Sequence, residues 1–112
     1  MEVVFCAEAE AELAELPAHE QFAMLAAVEK LRVVGDRLPY PHSSAVRSDP
    51  SGLRELRPRG GRSPWRAFYR RVGNRLVIAA IGPEAKHDQR GFVRAVRLAA
   101  ERIARVEHGG TL

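Results

Sequence analysis

Between residues 54 and 70 the chain interleaves cations with rings: Arg54, Arg57, Arg59, Arg62, Arg66 and Arg70 run alongside Trp65, Phe68 and Tyr69. On an extended backbone alternate side chains share a face. Arg57 is then in phase with Leu53 and Glu55, and Arg66 with Phe68 and Arg70, while Arg59 and Arg62 fall in the connection between. Two such segments paired as neighbours would gather the cations at one end and on one face of a sheet. Guanidinium groups hold phosphate bidentately and rings stack on bases, so the chemistry implied is RNA binding. A plainer arrangement uses the same residues, with Trp65 and Phe68 in the core and the arginines on a solvated face. Tyr69 has the opposite parity to Phe68, so one of that pair is expected outside the main core.

Other chemistries have no support. His19, His42, His87 and His108 are scattered without ligand spacing, and the single Cys6 rules out both an internal disulfide and a zinc pattern. Cys6 lies in an apolar segment and reads as a small buried hydrophobe. No metal and no cofactor is expected. Gly60-Gly61 does not belong to a phosphate loop, since no lysine follows at the required spacing and no helix opens there.

Charge divides the chain. Residues 1–46 carry three basic residues against eight acidic, a balance of −5; residues 47–112 carry fifteen against six, a balance of +9. A basic module joined to an acidic one suits a polyanion or an acidic partner. Arginine is chosen over lysine 16 to 2, which favours phosphate recognition. No apolar run approaches the roughly 20 residues of a membrane span. The acidic start MEVVFCAEAEAEL lacks the basic region of a signal peptide. The expected location is the cytoplasm, with no membrane partner.

The elements that must position these residues follow from periodicity. The 112 residues suit one domain. Val3 to Cys6 predicts a short strand. Residues 8–16 and 18–34 predict an αα-hairpin broken at Pro17 and stopped by Gly35. The buried stripe of the second helix is expected at Phe22, Leu25, Val28 and Leu31, widened by Met24 and Ala27. Residues 35–52 read as one surface connection. Then come strands at Leu53–Arg57, Trp65–Arg70 and Leu76–Ile81, the last two joined by a tight turn at Gly73-Asn74. The nearly all-apolar third is expected to be covered on both faces. A final helix spans about 89–106, with a stripe at Val93, Val96, Ala100 and Ile103 and cations on another face. Residues 107–112 are expected to fray. The class is α+β, in the order β-α-α-β-β-β-α, with a small antiparallel sheet.

Gly52-Leu53-Arg54-Glu55-Leu56-Arg57, then Trp65-Arg66-Ala67-Phe68-Tyr69, then Leu76-Val77-Ile78 resemble the "GLxELR…yRxxY…vxLL" core of the RelE/HigB toxins, especially their phage-derived HigB-like branch. With the αα-hairpin, the Gly-Asp-x-Leu-Pro segment at 35–39 and the closing Arg-rich helix, the resemblance covers roughly residues 3–105. It implies an antiparallel sheet with an αα-hairpin on one side and a helix after the last strand. It also implies metal-independent cleavage of mRNA, usually on the ribosome, and a tightly bound helix-turn-helix antitoxin. Arg66 matches the arginine that stabilises the phosphorane-like transition state, Tyr69 matches the closing residue of the same motif, and Arg57 matches a phosphate or structural contact. Arg59, Arg62 and Arg90 are further RNA-binding candidates. Where many HigB-like members carry Phe-x-Lys-Lys, this chain has Ile81-Gly82-Pro83-Glu84. Lys86 and His87, just beyond, are the nearest substitutes, His87 as acid or base. Arg66 is expected at the surface of its strand. Glu84 is expected to face solvent or to bind Arg90 or Arg62. Two alternatives share the fold: a ParE-like gyrase inhibitor, and a degenerate toxin that binds its antitoxin as co-repressor. Lys86, His87 and Arg66 in one cleft would favour the ribonuclease; their dispersal would favour the others.

Overall fold

A computed structural model describes residues 1–112. Strand β1 is Glu2–Phe5, followed by α1 (Ala7–Ala14) and α2 (Ala18–Val34). Three strands follow the hairpin before the last one: β2 (Ser43–Ala45), β3 (Arg54–Leu56) and β4 (Trp65–Val72). Strand β5 (Arg75–Pro83) leads to the closing helix α3 (Gln89–Glu107). The class is α+β, as the sequence predicts, but the sheet has five strands in the order β1-β5-β4-β3-β2. Two features correct the sequence reading. The 35–52 connection contains β2, which pairs with β3 through Ser44 opposite Glu55. The sheet is mixed, because β1 runs parallel to β5, with Val4 opposite Val77.

The local signals act where expected. Gly35 ends α2 with a φ of 80° and gives its N–H to Leu31 O, a conformation that costs glycine little. Gly73-Asn74 makes the two-residue turn between β4 and β5. Asp88 caps α3, its carboxylate accepting from Gly91 N at 3.0 Å.

Both faces of the sheet are covered. On one, α3 lies across β4 and β5, and Phe92 meets Phe68 edge-on with ring centroids 5.4 Å apart. On the other, α2 lies beside Leu56. Phe68 and Tyr69 are therefore both buried, which corrects the expectation that one of them lies outside. The apolar stripes are rotated as well. In α2 the buried residues are Met24, Ala27, Val28 and Leu31, while Phe22 and Leu25 face solvent; in α3 they are Gly91, Ala95, Ala99 and Ile103, while Val93 is exposed. Small residues let α3 sit close to the sheet: a Cβ built on Gly82 would come within 2.5 Å of Ala95 Cβ.

Strand β1 covers only the first half of β5. Beyond it the open edge is closed by side chains. Ile81 N donates to Glu12 Oε1 at 3.0 Å, and Ala79 O accepts from Arg102 Nη1 at 2.9 Å and from Cys6 Sγ at 3.2 Å. Arg102 also pairs with Glu12 at 3.1 Å, so one ion pair satisfies the backbone of an edge that would otherwise be free to recruit another strand. Burial pushes the Cys6 thiol up, as suits an inert core sulfur. A second pair, Arg105 Nη2 to Glu8 Oε1 at 2.8 Å, ties α3 to α1, and its hydrogen bond lowers the Glu8 pKa to about 2. After α3 the chain folds back, with Gly110 N on Arg105 O and Arg105 Nε on Thr111 O. No helix is long and apolar enough to cross a membrane.

Candidate active site

Arg57, just past the end of β3, and Arg66 of β4 meet at one end of the sheet, in a cleft of about 410 Å³ lined also by Glu55, Gly61, Glu84 and Lys86. Strand register brings them there: Glu55 lies opposite Phe68 in the β3–β4 ladder, and Arg66 lies opposite Gly82 in the β4–β5 ladder. Glu55, Phe68 and Arg66 then share a face.

Arg66 is not at the surface. Its side chain is 2% exposed, which corrects the sequence expectation. Nε donates to Glu55 Oε1 at 3.3 Å. Nη1 donates to Ser63 O at 2.6 Å and Trp65 O at 2.9 Å. Nη2 donates to Gly61 O at 3.3 Å and Glu84 Oε2 at 2.6 Å. Guanidinium has five N–H donors, and all are used. Burial, and then the neighbouring charge of Arg57, hold its pKa below that of free arginine, against the pull of Glu84 and Glu55. Glu84 therefore binds Arg66, rather than solvent, Arg90 or Arg62.

Arg57 stands beside it. Nη1 reaches Glu55 Oε1 at 3.2 Å and Nε gives its proton to Pro41 O at 2.9 Å. Its guanidinium carbon lies 5.0 Å from the centre of the Tyr40 ring, a cation–π distance. Gly61, at φ 95°, leaves room for this arm, since a Cβ there would fall 2.4 Å from Arg57 Nη2. Glu55 is thus held on one oxygen by two guanidinium groups, while its Oε2 carries no hydrogen bond.

The other sequence candidates divide. Lys86 lines the cleft and is exposed. His87 lies in a separate cleft of about 290 Å³ with Trp65, Asp88 and Arg94. Arg90 is exposed on the first turn of α3 and lines neither. Tyr69 is 1% exposed, its hydroxyl 2.6 Å from Ser43 Oγ, which also accepts from Arg54 Nε at 3.0 Å. Arg62 is exposed and donates to Arg59 O. The sequence left Glu84 as a departure from a motif and did not connect Glu55 with Arg66. The signal for Glu55 was present in its phase with Arg57; the partner of Glu84 is set by folding alone.

Arg59 has a structural task that the sequence concealed. It adopts a left-handed φ of 55°, disfavoured for a residue with a side chain. Its Nη1 reaches both oxygens of Glu20 at 3.1 Å, and Ser63 Oγ donates to Glu20 Oε1 at 2.7 Å. Burial pushes the Glu20 carboxyl up, but the bonds from Ser63 and Arg59 outweigh it and the net pKa lies below the usual carboxylate range. This clasp fixes the 58–61 turn, and with it the Gly61 carbonyl under Arg66, to α2. Glu20→Ala is expected to destabilise the fold by about 1–3 kcal/mol at neutral pH. Because the native pKa is lowered, this contribution is present above the ordinary carboxylate range and is lost as pH falls through the native value. Urea midpoints of wild type and variant should therefore converge on acidification; a gap that does not change with pH would count against the clasp.

The arrangement can hold a phosphate between cations and offers a carboxylate oxygen beside it. No curated protein matches the sequence. The family model described as "Phage derived protein Gp49-like (DUF891)" matches residues 11–104, a span that takes in the second half of α1, all of α2, the ion-pair cleft and nearly all of α3. The chain therefore belongs to the phage-derived Gp49-like family, a member of the HigB/RelE-like toxin families.

Proposed function

We propose that the chain is the toxin of a toxin–antitoxin pair and a metal-independent endoribonuclease acting on mRNA at the ribosome. The observation that carries this is the cleft in which Arg57, Arg66 and Lys86 surround Glu55 with its Oε2 unengaged. In the proposed reaction Glu55 takes the proton of the ribose 2′-OH. The 2′-oxygen forms a bond to the adjacent phosphorus and the P–O5′ bond breaks, leaving a 2′,3′-cyclic phosphate. Arg57 and Lys86 bear the charge that develops on the phosphoryl oxygens, and Lys86 gives the proton to the departing 5′-oxygen. Arg66 has no spare donor, so it acts on phosphate only by exchanging Glu84 for a phosphoryl oxygen. Glu84 is 25% exposed and can swing outward. His87 takes no part in this scheme, which differs from its sequence-based candidacy.

The test is cleavage of a synthetic mRNA by the purified chain, alone and on ribosomes, with product ends read by mass spectrometry. Lys86→Ala is expected to slow cleavage by about 10²-fold or more, while His87→Ala leaves both the rate and its pH profile near wild type. An equal loss in the His87 variant would return His87 to the site. The antitoxin expected is a helix-turn-helix protein with an acidic contact surface, docking on the +9 half, and its association should slow as salt rises.

A second reading is a co-repressor without catalysis, and Glu84 is the observation that favours it. Its carboxylate already occupies the Nη2 of the arginine that a phosphate would need. Absence of cleavage under both conditions, with antitoxin binding intact, would establish that reading in place of the first.

A further inference from the structure

A groove of about 410 Å³ runs between α2 and the β3 side of the sheet, away from the ion-pair pair of Arg66 and Glu84. Its floor is aliphatic, including Ala27, Leu38 and Leu56, and Phe22 stands on its wall 75% exposed. Leu25 extends this apolar strip along α2 at 48% exposure. Residues 22, 25 and 26 stand three and four apart on one helical face; toward Val33 the strip is interrupted by Glu29, which pairs with Arg32. Exposed stripes of this kind mark interaction surfaces more often than free surface. The rim carries Lys30, Arg57 and Arg59; Arg57 and Arg59 are already paired with Glu55 and Glu20, which leaves Lys30 as the cation open to a partner. Lys30 has no carboxylate partner; its Nζ lies 3.4 Å from His42 Nδ1.

We propose that this groove binds an acidic amphipathic segment of a partner protein, with an apolar side chain seated against Phe22 and Leu56 and a carboxylate on Lys30. Charge complementarity selects the acidic partner, and helix-in-groove recognition supplies the apolar anchor. The aliphatic floor suits a protein side chain better than a nucleotide, whose base edges would lose their hydrogen bonds there. The inference stands apart from the ribonuclease reading and uses none of its residues except Arg57 on the rim.

A random peptide library displayed on phage, selected against the purified chain, tests it. Peptides with Asp or Glu around Leu, Ile or Phe at helical spacing should be enriched. Phe22→Glu and Lys30→Glu should each weaken binding of the best peptide by at least about tenfold. Both positions are exposed, and unchanged thermal midpoints would show that the variants fold. No enrichment, enrichment of basic peptides, or binding indifferent to both substitutions would overturn the proposal. So would displacement of the peptide by oligouridine RNA at equal concentration, which would make the groove a nucleic-acid site. A wild-type dimer in sedimentation velocity that Phe22→Glu dissociates would also overturn it, by giving the groove to a second copy of the chain.

Discussion

Arg66→Ala is expected to destabilise the fold by about 3–5 kcal/mol, the range for breaking a buried ion pair from one side. The side chain is 2% exposed and its five donors all find acceptors. Its removal leaves the carboxylates of Glu55 and Glu84 facing each other across the cleft without the cation between them. It also strips a partner from the carbonyls of Gly61, Ser63 and Trp65. Water entering the vacated space can offset part of this, which places the expected value toward the lower end. Arg66→Lys keeps the charge but cannot reproduce the planar fork, so it should recover only part of the loss. Urea denaturation of the three proteins measures the series. An Ala variant within about 0.5 kcal/mol of wild type would mean that Arg66 behaves as an ordinary surface residue. The result bears on function directly: loss of toxicity in the Ala variant would report unfolding as readily as chemistry, so Arg66→Lys, with its stability measured, is the informative substitution.

The elements were legible where a local signal decides them. Gly35 and Gly73-Asn74 mark their stops in any context, and Pro17 divides the hairpin whatever packs on it. Strand β2 was not legible. Ser43-Ser44-Ala45 has no β-branched or aromatic residue, and it is a strand only because β3 offers it a ladder. The faces of α2 and α3 were misjudged for a related reason. Phe22 and Val93 are bulky and carry the periodicity, but in α2 the stripe centres on the expected Met24, Ala27, Val28 and Leu31, and in α3 the sheet accepts Ala95 and Ala99 because small side chains allow close approach. The family motif pointed to Arg66 and Arg57 as residues that matter. It could not show that Arg66 is buried, since Gly61, Ser63, Glu55 and Glu84 reach it from three different segments. The separation of Lys86 from His87 follows from the backbone after Pro83, where His87 N and Asp88 N close back on Glu84 O at 3.2 and 3.0 Å and turn the chain toward α3.

Glu55→Gln should lower the rate of RNA cleavage by about 10²–10⁴-fold, the usual worth of a positioned general base, while the fold and RNA binding persist. Glutamine has the same shape, and its carbonyl oxygen can still accept from Arg57 and Arg66 as Glu55 Oε1 does at 3.2 and 3.3 Å. Two charge-assisted hydrogen bonds become ordinary ones, a stability loss of about 1–3 kcal/mol. What the variant lacks is the carboxylate Oε2 that receives the 2′-OH proton in the proposed reaction. Because the substitution removes a negative charge beside the phosphate, KM for RNA should fall or hold while kcat drops, a split that a merely structural role would not give. Lys86→Ala should also lower kcat, since the acid is lost, but with KM rising as a cation leaves the cleft. Wild-type kcat in a folded Glu55→Gln protein would remove Glu55 as the base and leave Glu84, the other carboxylate of the cleft, as the group to test next. Loss of binding together with rate would instead make Glu55 a scaffold for Arg57 and Arg66.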